Sequence, residues 1–272
     1  MTTRSERDTG ALLTELRAAR TYDLEQPRRV GSPTFPAHFP GYVYGLHRRH
    51  EAGLAEARTS ASGLITMAEH SGTHIDALCH QAENLAMYGG RTVDASVQTS
   101  QGFTELGAED IPLVMARGVL LDVAASRGQA RLGRRELVSA DDLAAAERAQ
   151  GVSVQRGDVV LVRTGNGQLW DDPDTYLDGP GLDRGAAEWL AERAPLAVGA
   201  DNVAVDLPGH RDPDLGTLPG HVVLIVRNGI YIIENVALEE LARDRVHEFV
   251  FMCVALKLMG ATGSPVRPLA FV

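Results

Sequence analysis

Cysteine is nearly absent from this 272-residue chain: there are two, Cys79 and Cys253, and no CxxC pair. Two such residues build no disulfide framework, and their scarcity fits a reducing cytoplasm, the compartment expected here. Long apolar runs are missing too. The longest, Phe249–Met259 and Val222–Ile233, are interrupted by Lys257 and by Arg227-Asn228-Gly229, and both fall short of the roughly 18–20 residues a membrane helix needs. The opening residues are polar with no apolar stretch behind them, so neither a signal peptide nor a membrane partner is expected. Basic charge is in deficit, with 26 Lys and Arg against 36 Asp and Glu and a net charge of −10. A nucleic-acid binder would carry a basic excess or stripe. The groups Arg131, Arg134, Arg135 and Arg243, Arg245 have carboxylates close by and read as solvated surface. Gly165-Asn166-Gly167 lacks the Gly-Lys-Ser/Thr ending that gives a phosphate loop its meaning. There is no internal repeat and no low-complexity linker, so one domain over residues 1–272 is expected.

What is present is ordinary globular material, 44% hydrophobic and 23% charged, enough to bury a core. Asp8-Thr9-Gly10 reads as the capped start of an amphipathic helix. Tyr22-Asp23-Leu24 suits a short strand. Residues 26–41 contain Pro27, Pro33, Pro36 and Pro40, which excludes regular structure and predicts an arm, either an ordered lid or a loop. Gly63–Glu69 reads as a strand running straight into the histidine-rich stretch that follows, and Leu113–Val123 as a buried strand or hairpin. Ser139 opens a helix that stops at Gly151, a polar cap and a terminal glycine where physical chemistry favours them. Further strands are predicted over Asp158–Arg163, Leu196–Ala200, Ile230–Glu234 and Phe249–Leu256, with a helix capped by Asp183. Strands and helices mix without strict alternation. The fold class expected is therefore α/β, a mixed β-sheet core with flanking helices and not a doubly wound nucleotide fold.

The chemistry is concentrated in one stretch. His70, His74 and His80 fall within eleven residues, with Asp76 among them. Imidazole nitrogen plus carboxylate oxygen is the ligand set of catalytic zinc, manganese or iron. Ser71-Gly72-Thr73 is a poor helix interior, so the motif belongs where a strand ends and the chain turns, with Gly72 letting the backbone bend. Three protein ligands, His70, His74 and Asp76, leave a metal open to water. His80 stands four residues beyond Asp76 and suits proton transfer. Cys79 reads as a buried inert thiol. Trp170 and Trp189 read as packing, and His210 as an exposed loop residue. One of His38, His47 and His50 has the chance to face a pocket, and the sequence does not choose.

The stretch His70-Ser71-Gly72-Thr73-His74-Ile75-Asp76-Ala77-Leu78-Cys79-His80 resembles the signature H-x-G-T-H-x-D-x-x-x-H of the cyclase-like metal hydrolases, a family that includes bacterial kynurenine formamidase and isatin hydrolase. Many members carry proline where Leu78 stands, a departure that leaves the ligands intact and the substrate open. Weaker landmarks are spread along the chain: Arg163-Thr164-Gly165, Pro180-Gly181-Leu182, Gly199-Ala200-Asp201, Val205-Asp206 and Ile230–Asn235. The resemblance implies a swivelling β/β/α fold, a divalent ion (zinc or manganese) on His70, His74 and Asp76, and acid/base catalysis by His80. Some members hold a second ion, and for that ion the matching positions here are His221 and Glu234, with Asp76 bridging. A glutamate closing the apolar strand Ile230–Ile233 is costly to bury unless paired or metal-bound. The resemblance also implies a homo-oligomer, a dimer or tetramer, in which the arm is open to exchange between subunits.

The function expected is hydrolysis of a C–N bond in an amide, formamide or lactam of a small aromatic or cyclic substrate. A lactone or ester hydrolase, a cyclase or a dehydratase would use the same groups. A non-catalytic metal-dependent binding protein would have no need of His80.

Overall fold

The computed structural model describes residues 9–53 and 55–272. The cap expected at Asp8 lies outside them, and the helix α1 (Thr9–Ala18) that follows buries none of its residues. The frame is a curled nine-stranded mixed sheet. Its strands are β1 (Thr21–Asp23), β4 (His74–Asp76), β5 (Val114–Asp122), β6 (Val159–Arg163), β7 (Ala197–Ala200), β8 (Tyr231–Glu234), β9 (Glu248–Cys253), β10 (Gly263–Pro265) and β11 (Leu269–Phe271). Their order across the sheet is β1-β11-β9-β5-β6-β7-β8-β4-β10. The central strands β5, β6, β7 and β8 run parallel, and the flanking pairs are antiparallel.

The parallel strands are apolar on both sides, as strands covered on both faces must be. In β6, Val160 and Val162 face one core and Val159 and Leu161 the other. The first core is roofed by helix α2 (Ala140–Gln150), helix α3 (Arg184–Glu192) and the helical stretch Pro219–His221 with Val222–Arg227, through Leu143, Ala146, Leu190, Leu224 and Ile225. The second is closed by Phe249, Phe251, Ala270, Tyr22 and Ile75 from the curl of the sheet itself, and by Leu241 of helix α4 (Glu239–Arg243).

The expected starts and stops are present. Ser139 caps α2 in a reciprocal box with Asp142, and Gly151 ends it in the left-handed region. Asp183 accepts from the Ala186 N–H to start α3. The centre of the sheet is more regular than the sequence suggests. The run Val222–Arg227, part of the apolar stretch Val222–Ile233, is a π-type turn of helix, and it supplies the crossover between β7 and β8.

Gly63–Glu69 requires a correction. A strand forms there, β3 (Ser62–Thr66), but it pairs with β2 (Val43–Arg48) in a separate ribbon in which every residue is exposed. A loop then intervenes before β4. An apolar run alone does not distinguish a core strand from a ribbon that projects from the body.

Leu161 is fully buried beneath the sheet. Leu161→Ala is expected to lower stability by about 2–5 kcal/mol, read as the shift in a urea unfolding curve with an unchanged slope.

Candidate metal centre

The local geometry of the site begins with the alternation of a strand. In β4, Ile75 points into the second core, so His74 and Asp76 both point to the opposite side. Register then adds a partner. Glu234, the last residue of β8, lies directly across from His74, and Gly263 of β10 lies across from Asp76. A Cβ on Gly263 would stand 2.7 Å from Cε1 of His70. The missing side chain is what admits that imidazole. Gly72 has φ +66, the left-handed turn expected of it, and brings the chain from His70 to His74.

Three imidazoles are each anchored through one nitrogen. His74 Nδ1 donates to the Gly72 carbonyl at 2.8 Å. His221 Nδ1 lies 2.7 Å from Asp206 Oδ2, and the same carboxylate accepts the backbone N–H groups of Gly220 and His221. His70 Nε2 lies 2.7 Å from Thr262 Oγ1. That hydroxyl gives its own proton to Glu69, so it accepts from His70. The anchors fix the tautomers, and the remaining nitrogens, His70 Nδ1, His74 Nε2 and His221 Nε2, present lone pairs.

Those lone pairs meet carboxylates. His70 Nδ1 is 2.8 Å and His74 Nε2 is 3.5 Å from Asp76 Oδ1. His221 Nε2 is 3.6 Å from Asp76 Oδ2 and 3.3 Å from Glu234 Oε1, while His74 Nε2 is 3.2 Å from Glu234 Oε2. All five side chains are buried. Yet His70 Nδ1, His74 Nε2, both Asp76 oxygens and Glu234 Oε1 make no hydrogen bond. The 2.8 Å contact of His70 with Asp76 has the length of a hydrogen bond but sets two lone pairs facing each other. Donors about 3.3 Å apart are what a tetrahedral ion with ligand bonds of about 2.0–2.1 Å requires. The donor set therefore fits a divalent cation.

The electrostatics agree. Burial opposes a charge on His74, but the Asp76 and Glu234 carboxylates outweigh it and push its pKa up to about 10. For His221, burial is likewise outweighed, by Asp206 and Glu234, and its pKa lies well above the usual imidazole range. The cavity thus calls for positive charge, which a proton or a metal ion can supply. His80 behaves differently. Burial, joined by His70 and His221, pushes its pKa down to about 3 against the opposing pull of Asp76, so the ring is uncharged at neutral pH. Neither ring nitrogen of His80 hydrogen-bonds to a described residue; its ring lies 4.0 Å from that of His70 and 6.1 Å from that of His221, centre to centre.

All six residues singled out in the sequence, His70, His74, Asp76, His80, His221 and Glu234, thus converge on one spot. In the sequence Asp206 is only a landmark, and its role as the anchor of His221 is visible only in the fold. Thr262 and Gly263 carried no sequence signal. Of the three arm histidines, the structure places His38 over the site, whereas His47 lies on the exposed ribbon and His50 follows it with an exposed contact to Thr59. His210, expected to be exposed, is half-buried in the loop that leads into the short hairpin of Arg211–Asp212 with Gly216–Thr217. Cys79 is buried, with its thiol pushed up to about 12 by burial, so it is no nucleophile. Trp170 packs edge-on against Tyr176 and donates to the Pro27 carbonyl.

The arm is an ordered strap. Arg28 donates to the carbonyls of Ser71 and Thr73, and the Gln26 N–H donates to Thr73 Oγ1 at 2.8 Å. Thr73 Oγ1 in turn donates to the Asn235 carbonyl, and the Asn235 side chain donates to the Gly72 carbonyl. The motif loop is held from both sides.

The chain's relatives carry the same frame. The family described as "Putative cyclase" matches residues 22–207. A kynurenine formamidase of Bacillus thuringiensis subsp. konkukian is 27% identical over 246 residues, covering 90% of this chain and 94% of that protein. A kynurenine formamidase of Paracidovorax citrulli is 28% identical with the same coverage. Among solved structures, a novel cyclase superposes with a TM-score of 0.83 at 26% identity, over 98% of this chain and 91% of that one. Isatin hydrolase A from Ralstonia solanacearum shares the fold, with a TM-score of 0.77 at 22% identity over 100% of both chains.

Asp206→Asn removes the charge that orients His221 while keeping its shape. It is expected to weaken metal binding by about 10–100-fold, measured by titrating metal-free protein with zinc against a competing chelator, with unchanged circular dichroism.

Proposed function

This chain belongs to the putative cyclase family, and from that membership and the geometry above we propose that it is a metal-dependent hydrolase of non-peptide C–N bonds in amides, formamides or lactams. The observation that carries the reading is the division of labour among its histidines: three anchored imidazoles aim lone pairs at two buried carboxylates, and a fourth, His80, stands beside them neutral and unanchored. The relatives named kynurenine formamidase, alignable over nine-tenths of the chain, support a formamide as the bond to be cut.

His70, His74 and Asp76 would hold one divalent ion, zinc or manganese; His221 and Glu234, together with Asp76, would hold a second. When bound, such an ion supplies Lewis acidity, lowering the pKa of water toward about 7 and polarising a carbonyl. The residues do the rest. His80, uncharged, takes the proton of the attacking water as oxygen bonds to the carbonyl carbon. It then returns that proton to the nitrogen as the C–N bond breaks, releasing an acid and an amine. Arg28, Thr73 and Asn235 keep the motif loop from shifting during the reaction. We assign the whole chain, residues 1–272, to one domain acting in the cytoplasm on a small molecule. Val43, Tyr44, Leu46, Leu64 and Ile65, all exposed on the ribbon, favour a homo-oligomer.

His80→Ala is expected to retain its metal by elemental analysis and to lose turnover of formamides and lactams by about 10²–10⁴-fold. Loss of metal in that variant would make His80 a ligand instead. His74→Ala is expected to lose metal and activity together. Light scattering of the native protein is expected to give a multiple of the chain mass; a monomer's mass would count against the oligomer.

A further inference from the structure

The anchor of His74 does not end at Gly72. The carbonyl that accepts from His74 Nδ1 at 2.8 Å also accepts from Asn235 Nδ2 at 2.9 Å. The other end of that amide, Asn235 Oδ1, accepts from the Tyr176 hydroxyl at 2.8 Å. The direction of each bond is fixed. A carbonyl only accepts, so Gly72 faces the NH2 of Asn235, and the amide oxygen is left to face the phenol as its acceptor. Tyr176, Asn235 and His74 are all buried, where hydrogen bonds in series polarise one another and water does not compete.

Tyr176 is the rigid end of this series. It lies in the short helix Pro173–Leu177. Its ring meets that of Trp170 edge-on at 5.1 Å, and its backbone carbonyl accepts from the Asn166 side chain at 3.1 Å. Burial, joined by Asp201 and Glu234, pushes its pKa well above the ordinary phenol value, so the hydroxyl keeps a proton to give. Its second acceptor, the Asp201 carbonyl, is farther away at 3.3 Å. Gly72 is the soft end. A glycine at φ +66 lets its peptide tilt, and an imidazole bonded to that carbonyl would follow. Asn235 stands between them with every polar group in use: its N–H donates to the Asn202 carbonyl at 2.9 Å and its carbonyl accepts from Thr73 Oγ1 at 2.7 Å. It also follows directly on Glu234, whose Oε2 is 3.2 Å from His74 Nε2. Without the phenol, Asn235 Oδ1 would be a buried acceptor with its one close donor gone, and the amide would be free to turn away from Gly72.

We infer that Tyr176 is a positioning residue for the metal centre: its hydroxyl, acting through the Asn235 amide and the Gly72 carbonyl, fixes the direction in which His74 presents its lone pair. Tyr176 itself touches neither ion nor substrate. The inference rests on the metal-dependent reading above, since an aimed lone pair matters only to an ion.

The test is Tyr176→Phe, which keeps the ring and deletes one oxygen. In the metal-free protein the His74 Nδ1 proton resonance is expected to shift and to exchange faster than in wild type. The Nε2 proton of His70, anchored on Thr262, is expected to stay in place. Zinc affinity, measured against a competing chelator, is expected to fall about tenfold. Leu161→Ala, destabilised in the core away from these bonds, is expected to keep the affinity of wild type. A Tyr176→Phe protein that loses stability but binds zinc within about twofold of wild type would overturn the inference and leave Tyr176 a packing residue. Equal shifts at His70 and His74 would overturn it too, as a general loosening. Should Tyr176→Phe fail to fold, the wild type decides: the Asn235 side-chain amide protons are expected to shift when zinc is added, and amide protons that do not respond to zinc would overturn the inference. A wild type that binds neither zinc nor manganese would overturn the metal-dependent reading and this inference together, whereas the other contrary results overturn the inference alone.

Discussion

Two carboxylates, Asp76 and Glu234, are buried against imidazole nitrogens that carry lone pairs, and much of the surrounding structure exists to hold that arrangement. Burying an ionised carboxylate is strongly unfavourable unless charge and hydrogen bonds compensate for it. Here the hydrogen bonds are withheld from the facing atoms, so the compensation comes from positive charge, a proton on an imidazole or a bound metal ion. The strand β4, only three residues long, would be a negligible element in most sheets. It matters because the pairing of Glu234 with His74 and of Gly263 with Asp76 brings distant parts of the chain to the same few ångströms. A slip of one residue in that register would turn His74 and Asp76 into the core and Ile75 into the site.

The motif was legible because it is contiguous. His70, His74, Asp76 and His80 sit close enough in sequence for their types and spacing to state the chemistry, and Gly72 announced the bend. Glu234 and His221 were reached through family resemblance, with the cost of burying a glutamate as the only independent hint. What could not be read are the contributions that depend on tertiary placement. Thr262 lies 192 positions from the histidine it anchors, and neither its type nor its neighbours mark it. Asp206 sits 15 positions before His221 and meets its ring only because the chain returns across the carboxyl ends of the parallel strands. His38, His47 and His50 were indistinguishable by type; the strap put one over the site and left the others on or beside an exposed ribbon.

The fold shows the same division. Caps and stops at Ser139, Gly151 and Asp183 are local signals and were readable as such. The destination of an apolar run is not local. Gly63–Thr66 and Val159–Arg163 are similar strings, yet the first forms an exposed ribbon and the second the centre of the sheet. Val222–Arg227 could be scored as apolar but not as helix, because its winding follows from spanning β7 to β8 above the first core. The Pro-rich arm resolves in a comparable way. Four prolines leave the arm without an α-helix or a strand, but it is Arg28 and Gln26, bonded to the motif loop, that make it a strap.

The most direct measurement is anomalous scattering from crystals of the protein grown with zinc or manganese. The account predicts one or two peaks within coordination distance of Asp76, the first shared with His70 and His74 and any second with His221 and Glu234, with His80 and His38 outside bonding distance. A fully loaded protein with no peak at Asp76, or with its metal held by other residues, would contradict it.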